Sequence, residues 1–417
     1  MKTRDIVIKD ICAFNEENIK NDKERQIIKY LDTSNITKNI INKVECLDNS
    51  LNPFPHRAKR KVKNDTIIYS TVRPNLEHFG FLAKPEDNFI VSTGFITLNV
   101  IDEKIDPKFL YYLITQEYIT EYLHGIAVNN VSSYPSINPE DLTNLKFKIP
   151  VDIKDQKKIS LFLSLLDSQI DTNTKANFEL ENMAKLIYDY WFIQFNFPNN
   201  NNRPYKMNNG KMTFNDKLNR KIPNEWKVDF LSEKIKIMSG FPFSSKDYVE
   251  NGKYKIITIK NVQESFLKTN KVDTINSLPK GMSNSIKLNI GDVLISLTGN
   301  VGRLCFVDED NLLLNQRVGK LICEDNFLFY GYLFFNRPEN QTRLKNIAIG
   351  SDQANLSPVE MVKDFFLIPP NDILDKFTGI IKPIFEQFIK NNQKNKKITE
   401  LKNSFLPMLV NGKLRIN

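Results

Sequence analysis

The sequence predicts an α+β protein in which two globular units are separated by two long helices that form an antiparallel coiled coil. Three observations carry this prediction. First, Asp152–Phe195 holds apolar residues in steps of seven: Ile159, Leu166, Asn173, Leu180 and Ile187 in one set, Phe162, Gln169, Ala176, Met183 and Tyr190 in the other. That is the a/d spacing of a coiled-coil helix, polar only near its middle. Second, Asp372–Met408 repeats the pattern with Phe377, Ile384, Asn391, Ile398 and Phe405, and with Ile380, Gln387, Lys394, Leu401 and Met408. The shift is constant, 377 − 159 = 218 and 405 − 187 = 218, so Asn173 falls on Asn391 and Gln169 on Gln387. A single heptad run is more often an ordinary core helix, but two runs with polar interruptions at the same places point to a pair. Third, the segment before each helix is also duplicated. Pro139, Phe147, Ile149 and Pro150 match Pro358, Phe366, Ile368 and Pro369, with 358 − 139 = 219. Such an internal repeat is the mark of a duplicated structural unit.

Composition bounds the class. At 417 residues the chain exceeds one ordinary core, which implies at least two domains. Apolar residues make up 41% and charged residues 26%, as in soluble globular proteins. There is no run of about 18 apolar residues, so no membrane span is expected, and Met1–Asp10 has no apolar signal core. The four cysteines, Cys12, Cys46, Cys305 and Cys323, form no CxxC pair, and His56, His78 and His124 are isolated. A reducing cytoplasm is therefore expected, with no disulfide framework and no metal site. The net charge of +9 suits a polyanion partner, although lysine-rich composition alone can produce it.

In chain order, residues 1–150 form the first unit. Strands are expected at Thr66–Val72, Phe89–Val91 and Phe95–Val100, followed by a helix at Pro107–Tyr122 with Phe109, Leu110, Leu113, Ile114 and Tyr118 on one face. Residues 151–197 are the central helix and 198–221 a polar, asparagine-rich linker. Residues 222–369 are the second unit, with strands at Lys255–Ile259, Val293–Leu297, Leu304–Val307 and Val318–Cys323. Residues 370–417 are the C-terminal helix and tail. Asp65-Thr-Ile-Ile-Tyr-Ser70 resembles Asp292-Val-Leu-Ile-Ser-Leu297, each a short apolar run after a basic or glycine turn. Short mixed strands with few helices place both units in the α+β class. Pro383 lies inside the second helix and is expected to kink it or to mark its true start. Asn173 and Asn391 are central in their runs, so antiparallel pairing brings them into neighbouring mid-coil layers, where buried asparagines set register at some expense in stability. A helix from Ile159 to Tyr190 is roughly 45–50 Å long at 1.5 Å per residue. Units at its two ends would lie about one to one and a half turns of B-DNA apart.

No catalytic signature is present. The chain lacks a Walker A loop and a GxGxxG turn, and Gly299-Asn-Val-Gly302 reads as a hairpin turn. The Asn-Pro-Pro-aromatic motif of amino-methyltransferases is missing, since Asn52-Pro-Phe54 lacks its second proline. No acid pair with a lysine follows a strand at nuclease spacing, and no serine–histidine–aspartate set is suggested. Catalytic, cofactor-binding and metal-ligating residues are all expected to be absent. Candidate DNA contacts are more visible. His56-Arg57-Ala-Lys59-Arg60-Lys61-Val-Lys63 forms a dense basic loop before the first apolar strand, and Arg73 ends that strand. Lysine and arginine suit phosphates, and guanidinium also reads guanine edges in bidentate fashion. In the second unit Arg303 and Arg317 flank short strands, the latter in Asn315-Gln316-Arg317. Asn130 in Asn129–Ser133 and Gln353 in Gly350–Asn355 precede the shared Pro139 and Pro358 turns, and such amides pair with adenine. Plain loop polarity is the competing explanation for each of these residues.

The constellation resembles the specificity (S) subunit of type I restriction–modification systems. The resemblance is carried by Pro55-His-Arg-Ala-Lys-Arg60 with Asp65–Pro74, Ile222-Pro-Asn-Glu-Trp226, Ser239-Gly-Phe-Pro-Phe243, Gly291–Gly299, Asn315–Leu321 and Gly350–Pro358. The two Ile-Pro helix starts, Tyr188-x-x-Trp-Phe-x-x-Phe195 and Leu406-Pro-x-Leu-Val-x-Gly-Lys-Leu414 add to it. It covers nearly the whole chain. The resemblance implies that each unit is a target recognition domain reading one half of a split site in double-stranded DNA. It implies that the coiled coil sets the gap and docks methyltransferase (M) subunits, two of them, and that restriction (R) subunits complete the endonuclease. The S subunit itself makes and breaks no bonds. The sequence departs from the pattern in having no tryptophan in the first unit to match Trp226, which predicts an irregular first strand there. The alternative is a coiled-coil scaffold with two protein-binding heads and no DNA role. A methyltransferase or nuclease acting alone is disfavoured by the missing motifs.

Overall fold

The computed structural model describes residues 2–19, 26–129, 135–270, 272–350 and 354–410. The chain divides into two compact units, Met1–Gln169 with Lys397–Asn417, and Ile170–Lys396. Each is built the same way. In the first, Thr3–Val7 pairs antiparallel with Lys146–Pro150, from Thr3 opposite Pro150 to Val7 opposite Lys146. In the second, Lys227–Phe230 pairs antiparallel with Phe365–Ile368. The first strand of the first unit is thus regular, contrary to the expectation from its missing tryptophan. Backbone pairing over five residues orders it, whereas Trp226 packs on Phe192, Phe195 and Phe197, with ring centroids 5.9, 5.5 and 4.9 Å away.

Two four-stranded sheets follow in each unit. One runs Glu45–Asp48, Ile27–Leu31, Phe89–Ser92, Ala58–Lys61, with the two middle strands parallel; its counterpart runs Thr274–Ile275, Tyr254–Ile257, Leu312–Leu314, Lys287–Leu288, again with a parallel central pair. The other runs Cys12–Phe14, Phe95–Val100, Thr66–Ser70, Phe79–Leu82, matched by Lys236–Ser239, Val318–Ile322, Val293–Ser296, Leu304–Phe306. Thr66–Ser70 and Val293–Ser296 are buried along their whole length, which is why they read as continuous apolar runs. Even an ion pair recurs: Lys29–Glu86 and Lys255–Glu309 occupy the same place, since Lys29 sits opposite Phe89 and Lys255 opposite Leu312, each acid three residues before its partner strand residue.

The expected helix at Pro107–Tyr122 is two helices, Pro107–Ile114 and Glu117–Asn129. Asp106 caps the first by accepting from the Phe109 amide, and the break falls at Thr115 and Gln116, whose side chains donate to the Tyr111 and Leu113 carbonyls. The stretch between the central helix and the second unit holds a hairpin, Met212–Asn215 with Arg220–Pro223.

The long helices are Ile153–Tyr188, continued by one π-helical stretch at Asp189–Ile193, and Asn371–Val410. Pro383 neither starts nor interrupts the second helix. It is exposed, as is Gly379, whose carbonyl loses its helical partner, so that carbonyl faces water rather than apolar side chains. The pairing is antiparallel. In the first unit Phe162 meets Phe405 and Asp167 accepts from Lys402 at 2.6 Å. In the second unit Asn173 donates to Asn395 at 2.8 Å, while Asn391 donates to Asn177 at 2.8 Å.

The buried face differs from the expected one by a single residue. Ile159, Leu166, Asn173, Leu180 and Ile187 are buried or half-buried, as are Phe377, Ile384, Asn391, Ile398 and Phe405. Apart from Phe162, which is half-buried against Phe405, the second set is wrong in both helices. Its members Met183, Tyr190, Ile380, Leu401 and Met408 are exposed, and the residues that face inward are Leu163, Ile170, Asn177, Ala184 and Trp191, with Ile381, Phe388, Asn395, Lys402 and Leu409. Leu401 is therefore not a core residue. The inward stripe steps by four and then three from Ile159, so the polar layer is four asparagines deep. Because 173 + 218 = 391 and 177 + 218 = 395, each pair joins the first asparagine of one repeat to the second asparagine of the other.

Candidate nucleic-acid interface

In the first unit the predicted arginines gather around one turn, Thr93-Gly94, which joins Phe89–Ser92 to Phe95–Val100. The Thr93 amide donates to the Arg57 carbonyl at 2.9 Å, and Arg60 reaches the Thr93 carbonyl at 3.5 Å. The Thr71 amide and hydroxyl both donate to the Gly94 carbonyl, at 2.9 and 3.0 Å. Two residues on, the Arg73 amide donates to the Pro135 carbonyl at 2.8 Å, and the Ile137 amide returns a bond to Thr71 at 2.9 Å. Arg57, Arg60 and Arg73 thus share one hydrogen-bonded cluster of chain turns. Arg57 and Arg73 are exposed.

The expected basic loop is in part a strand. Ala58–Lys61 pairs antiparallel with Phe89–Ser92, putting Arg60 opposite Val91 and Lys61 opposite Ile90. Lys59 and Lys61 are half-buried at the edge of this sheet, tied by backbone bonds to Ile19 and Glu17. Arg60 is partly desolvated, which lowers its pKa, and its buried Nε has no hydrogen-bond partner among the described residues. Lys63 is ion-paired with Glu16 at 2.9 Å, and that hydrogen bond holds the Glu16 carboxyl below its usual range.

The second unit repeats the backbone and changes the side chains. The Leu297 amide donates to the Arg317 carbonyl at 3.1 Å, the Gly299 amide to Ala354 at 2.9 Å, and the Leu356 amide to Leu297 at 2.7 Å. Bond for bond these match Thr71 to Gly94, Arg73 to Pro135 and Ile137 to Thr71. Arg317 therefore stands where the first unit has Gly94, and Gly299 where it has Arg73. Arg73 holds a left-handed backbone, φ 49°, as does Gly299, φ 72°. The place of Arg57 is taken by Phe241, whose carbonyl accepts from the Gln316 amide at 3.1 Å. A side chain at Gly240 would strike the Leu314 carbonyl, with Cβ only 2.1 Å from its oxygen, so only glycine admits this close approach.

Arg317 is exposed at its turn. The Asn315 side chain accepts from the Arg317 amide at 3.2 Å and so shapes the turn. Arg303 is half-buried and donates to Gln263 at 3.0 Å. Asn130 and Gln353 lie outside the described residues. The Thr93-Gly94 turn was not singled out from sequence, and Phe241 and Gly299 were read only as parts of longer motifs, not as candidate contact positions. The available signal was position: Arg73 and Gly299 each stand three residues after the serine that ends the repeated strand, Ser70 and Ser296. Among the described residues there is no group of three metal-ligating side chains and no helix long and apolar enough to cross a membrane.

The chain matches the type I restriction modification DNA specificity domain over residues 4–182 and 223–403. It is 23% identical to the type I restriction enzyme HindI specificity subunit of Haemophilus influenzae, covering 93% of this chain and 94% of that one. It is 26% identical to the MjaIX specificity subunit of Methanocaldococcus jannaschii, covering 93% and 84%. The crystal structure of a type I restriction–modification S subunit from M. genitalium shares the fold, with a TM-score of 0.50, 14% identity and coverage of 98% and 96%.

Proposed function

The chain belongs to the type I restriction–modification DNA specificity family, carrying two copies of its domain in tandem, and on that premise we propose how the parts divide the work. As a DNA sequence-recognition subunit, it reads one half of an asymmetric split target with each unit, while the paired helices set the gap. Two methyltransferase subunits dock on the helical framework, and restriction subunits join them in the full complex. The chain itself performs no catalysis and works in the cytoplasm. Residues 1–150 and 222–369 are the two recognition domains, with the spacer helices at 151–197 and 370–417 and the linker at 198–221.

The observation that carries this reading is the bond-for-bond duplication of the turn clusters around Gly94 and Arg317, with different side chains mounted on them. Equal frames with unequal tips suit two half-sites of unequal sequence. Arg57, Lys59, Arg60, Lys61, Arg73 and Asn130 in the first unit, and Arg303, Arg317 and Gln353 in the second, are the proposed contacts. They combine phosphate attraction with base reading.

The test is a methylation map. The chain is co-expressed with the methyltransferase subunit of its own system in a methylation-free host, and modified bases are read by sequencing. A two-part asymmetric motif with a fixed gap is expected, and DNA binding by the complex should weaken steeply as salt rises. A continuous motif would mean that only one unit reads DNA. A stable complex without methylation or DNA binding would favour a protein scaffold instead.

A further inference from the structure

An arginine and a glycine are exchanged between two hydrogen-bonded loops. In the first unit the loop after Thr66–Ser70 carries Arg73, and the turn bonded to it carries Gly94. In the second unit the corresponding loop carries Gly299, and the turn carries Arg317. Each unit therefore mounts one exposed guanidinium on this pair of loops, but on opposite members of the pair; Arg303, also on the second unit's loop, is half-buried and donates to Gln263.

The two mounts differ physically. A residue other than glycine in the left-handed region is strained, and the region before a proline is restricted further. Arg73 is held there, φ 49° and ψ 65°, immediately before Pro74, with its amide bonded to Pro135. At the corresponding place the second unit uses glycine, for which the same conformation is unstrained. Strain of this kind persists where the surroundings impose it, and it gathers at functional positions. Arg317 needs no such strain: its amide is held by Asn315 and its carbonyl by Leu297.

Given that each unit reads one half of the target, we infer that Arg73 and Arg317 are the specificity-determining arginines of the two half-sites, each reading a G·C pair through the guanine edge. Because they stand on different loops of the same frame, the guanines they read lie at different positions within their halves. A guanidinium fork matches guanine O6 and N7, and each such contact discriminates by about five- to a hundredfold.

The experiment compares Arg73→Gly and Arg317→Gly in the intact complex with its methyltransferase subunit, reading both the methylation map and binding to duplexes altered one base pair at a time. Both variants put glycine where the other unit already tolerates it, and thermal midpoints that do not fall check their folding. Arg73→Gly should relax one G·C position in one half only, by about five- to a hundredfold, leaving the other half intact. Arg317→Gly should do the same in the other half, at a different distance from the gap. Uniform weakening on every sequence with a shallower salt dependence would show phosphate contacts and overturn the assignment. So would unchanged maps, or relaxation at an A·T pair. If the unsubstituted complex yields no two-part motif, the underlying reading itself fails, an outcome distinct from these.

Discussion

The two units share a backbone and differ where side chains leave it. Their sheets have the same strand order and the same parallel pair, and the same lysine–glutamate bridge spans that pair. Yet the turn that meets Arg57 in one meets Phe241 in the other, and the arginine has moved from one loop to its neighbour. The difference teaches that the frame is specified by apolar strand residues and main-chain bonds, which bind no side chain at the tips. Those tips can then change without redesign of the core.

The comparison can be sharpened most strongly in the paired helices. Phe377 and Ile159 occupy the same repeat position and are both buried, 0% and 4% exposed. Phe377 packs on Tyr188, Trp191 and Phe192, with ring centroids 4.7–6.3 Å away. Phe377→Ala should destabilise the second unit by about 4 kcal/mol and Ile159→Ala the first by about 3 kcal/mol. Both tryptophans, Trp191 and Trp226, lie in the second unit, so denaturant titration followed by tryptophan fluorescence isolates it, and hydrogen exchange reports the first. An equal or larger loss at Ile159 would break the proposed ordering.

A smaller effect is expected in the asparagine layers. Asn177 donates to Asn392 and to the Phe388 carbonyl and accepts from Asn391. Asn177→Ala removes all three bonds and leaves buried partners unsatisfied, for a loss of about 2 kcal/mol; Asn173→Ala should lose about 1 kcal/mol. A double-mutant cycle of Asn177 with Asn391 should show coupling, and none would mean that water substitutes freely. Smallest is the backbone effect at the exchanged loop. Arg73→Gly should stabilise the first unit by about 1 kcal/mol, because the left-handed backbone is relieved, and Gly299→Arg should destabilise the second by a similar amount. Thermal melts that move in the same direction for both would refute the equivalence of the two positions.

Much of this was legible in the sequence, and the failures have physical causes. The duplication, both long helices and the strands at Thr66, Phe95, Val293 and Val318 were readable from period and from burial of whole strands. The inward face was misjudged by one residue because apolar neighbours fill both candidate sets: Phe162 beside Leu163, Tyr190 beside Trp191, Ile380 beside Ile381, Met408 beside Leu409. The asparagines could have decided it. Only the four-then-three stripe places Asn177 and Asn395 inside with Asn173 and Asn391, pairing Asn173 with Asn395 and Asn177 with Asn391. The strand at Ala58–Lys61 was hidden because three consecutive basic residues erase the alternation that marks an edge strand. The arginine–glycine exchange was out of reach because it depends on which loops are bonded together, which no local pattern records.

The pairing of Asn177 with Asn391 also has a clock in it. The two residues are 214 positions apart, and ribosomes add about 5–20 residues per second. The first long helix is therefore synthesised about 10–40 s before its partner exists. The first unit can close its sheet as soon as Pro150 meets Thr3, and the second when Ile368 meets Lys227. The spacer can form only after both, once Asn371–Val410 has been made. Its asparagines then serve a second purpose: they keep the waiting helix polar at mid-length, on the face that would otherwise be its stickiest, until the correct partner arrives.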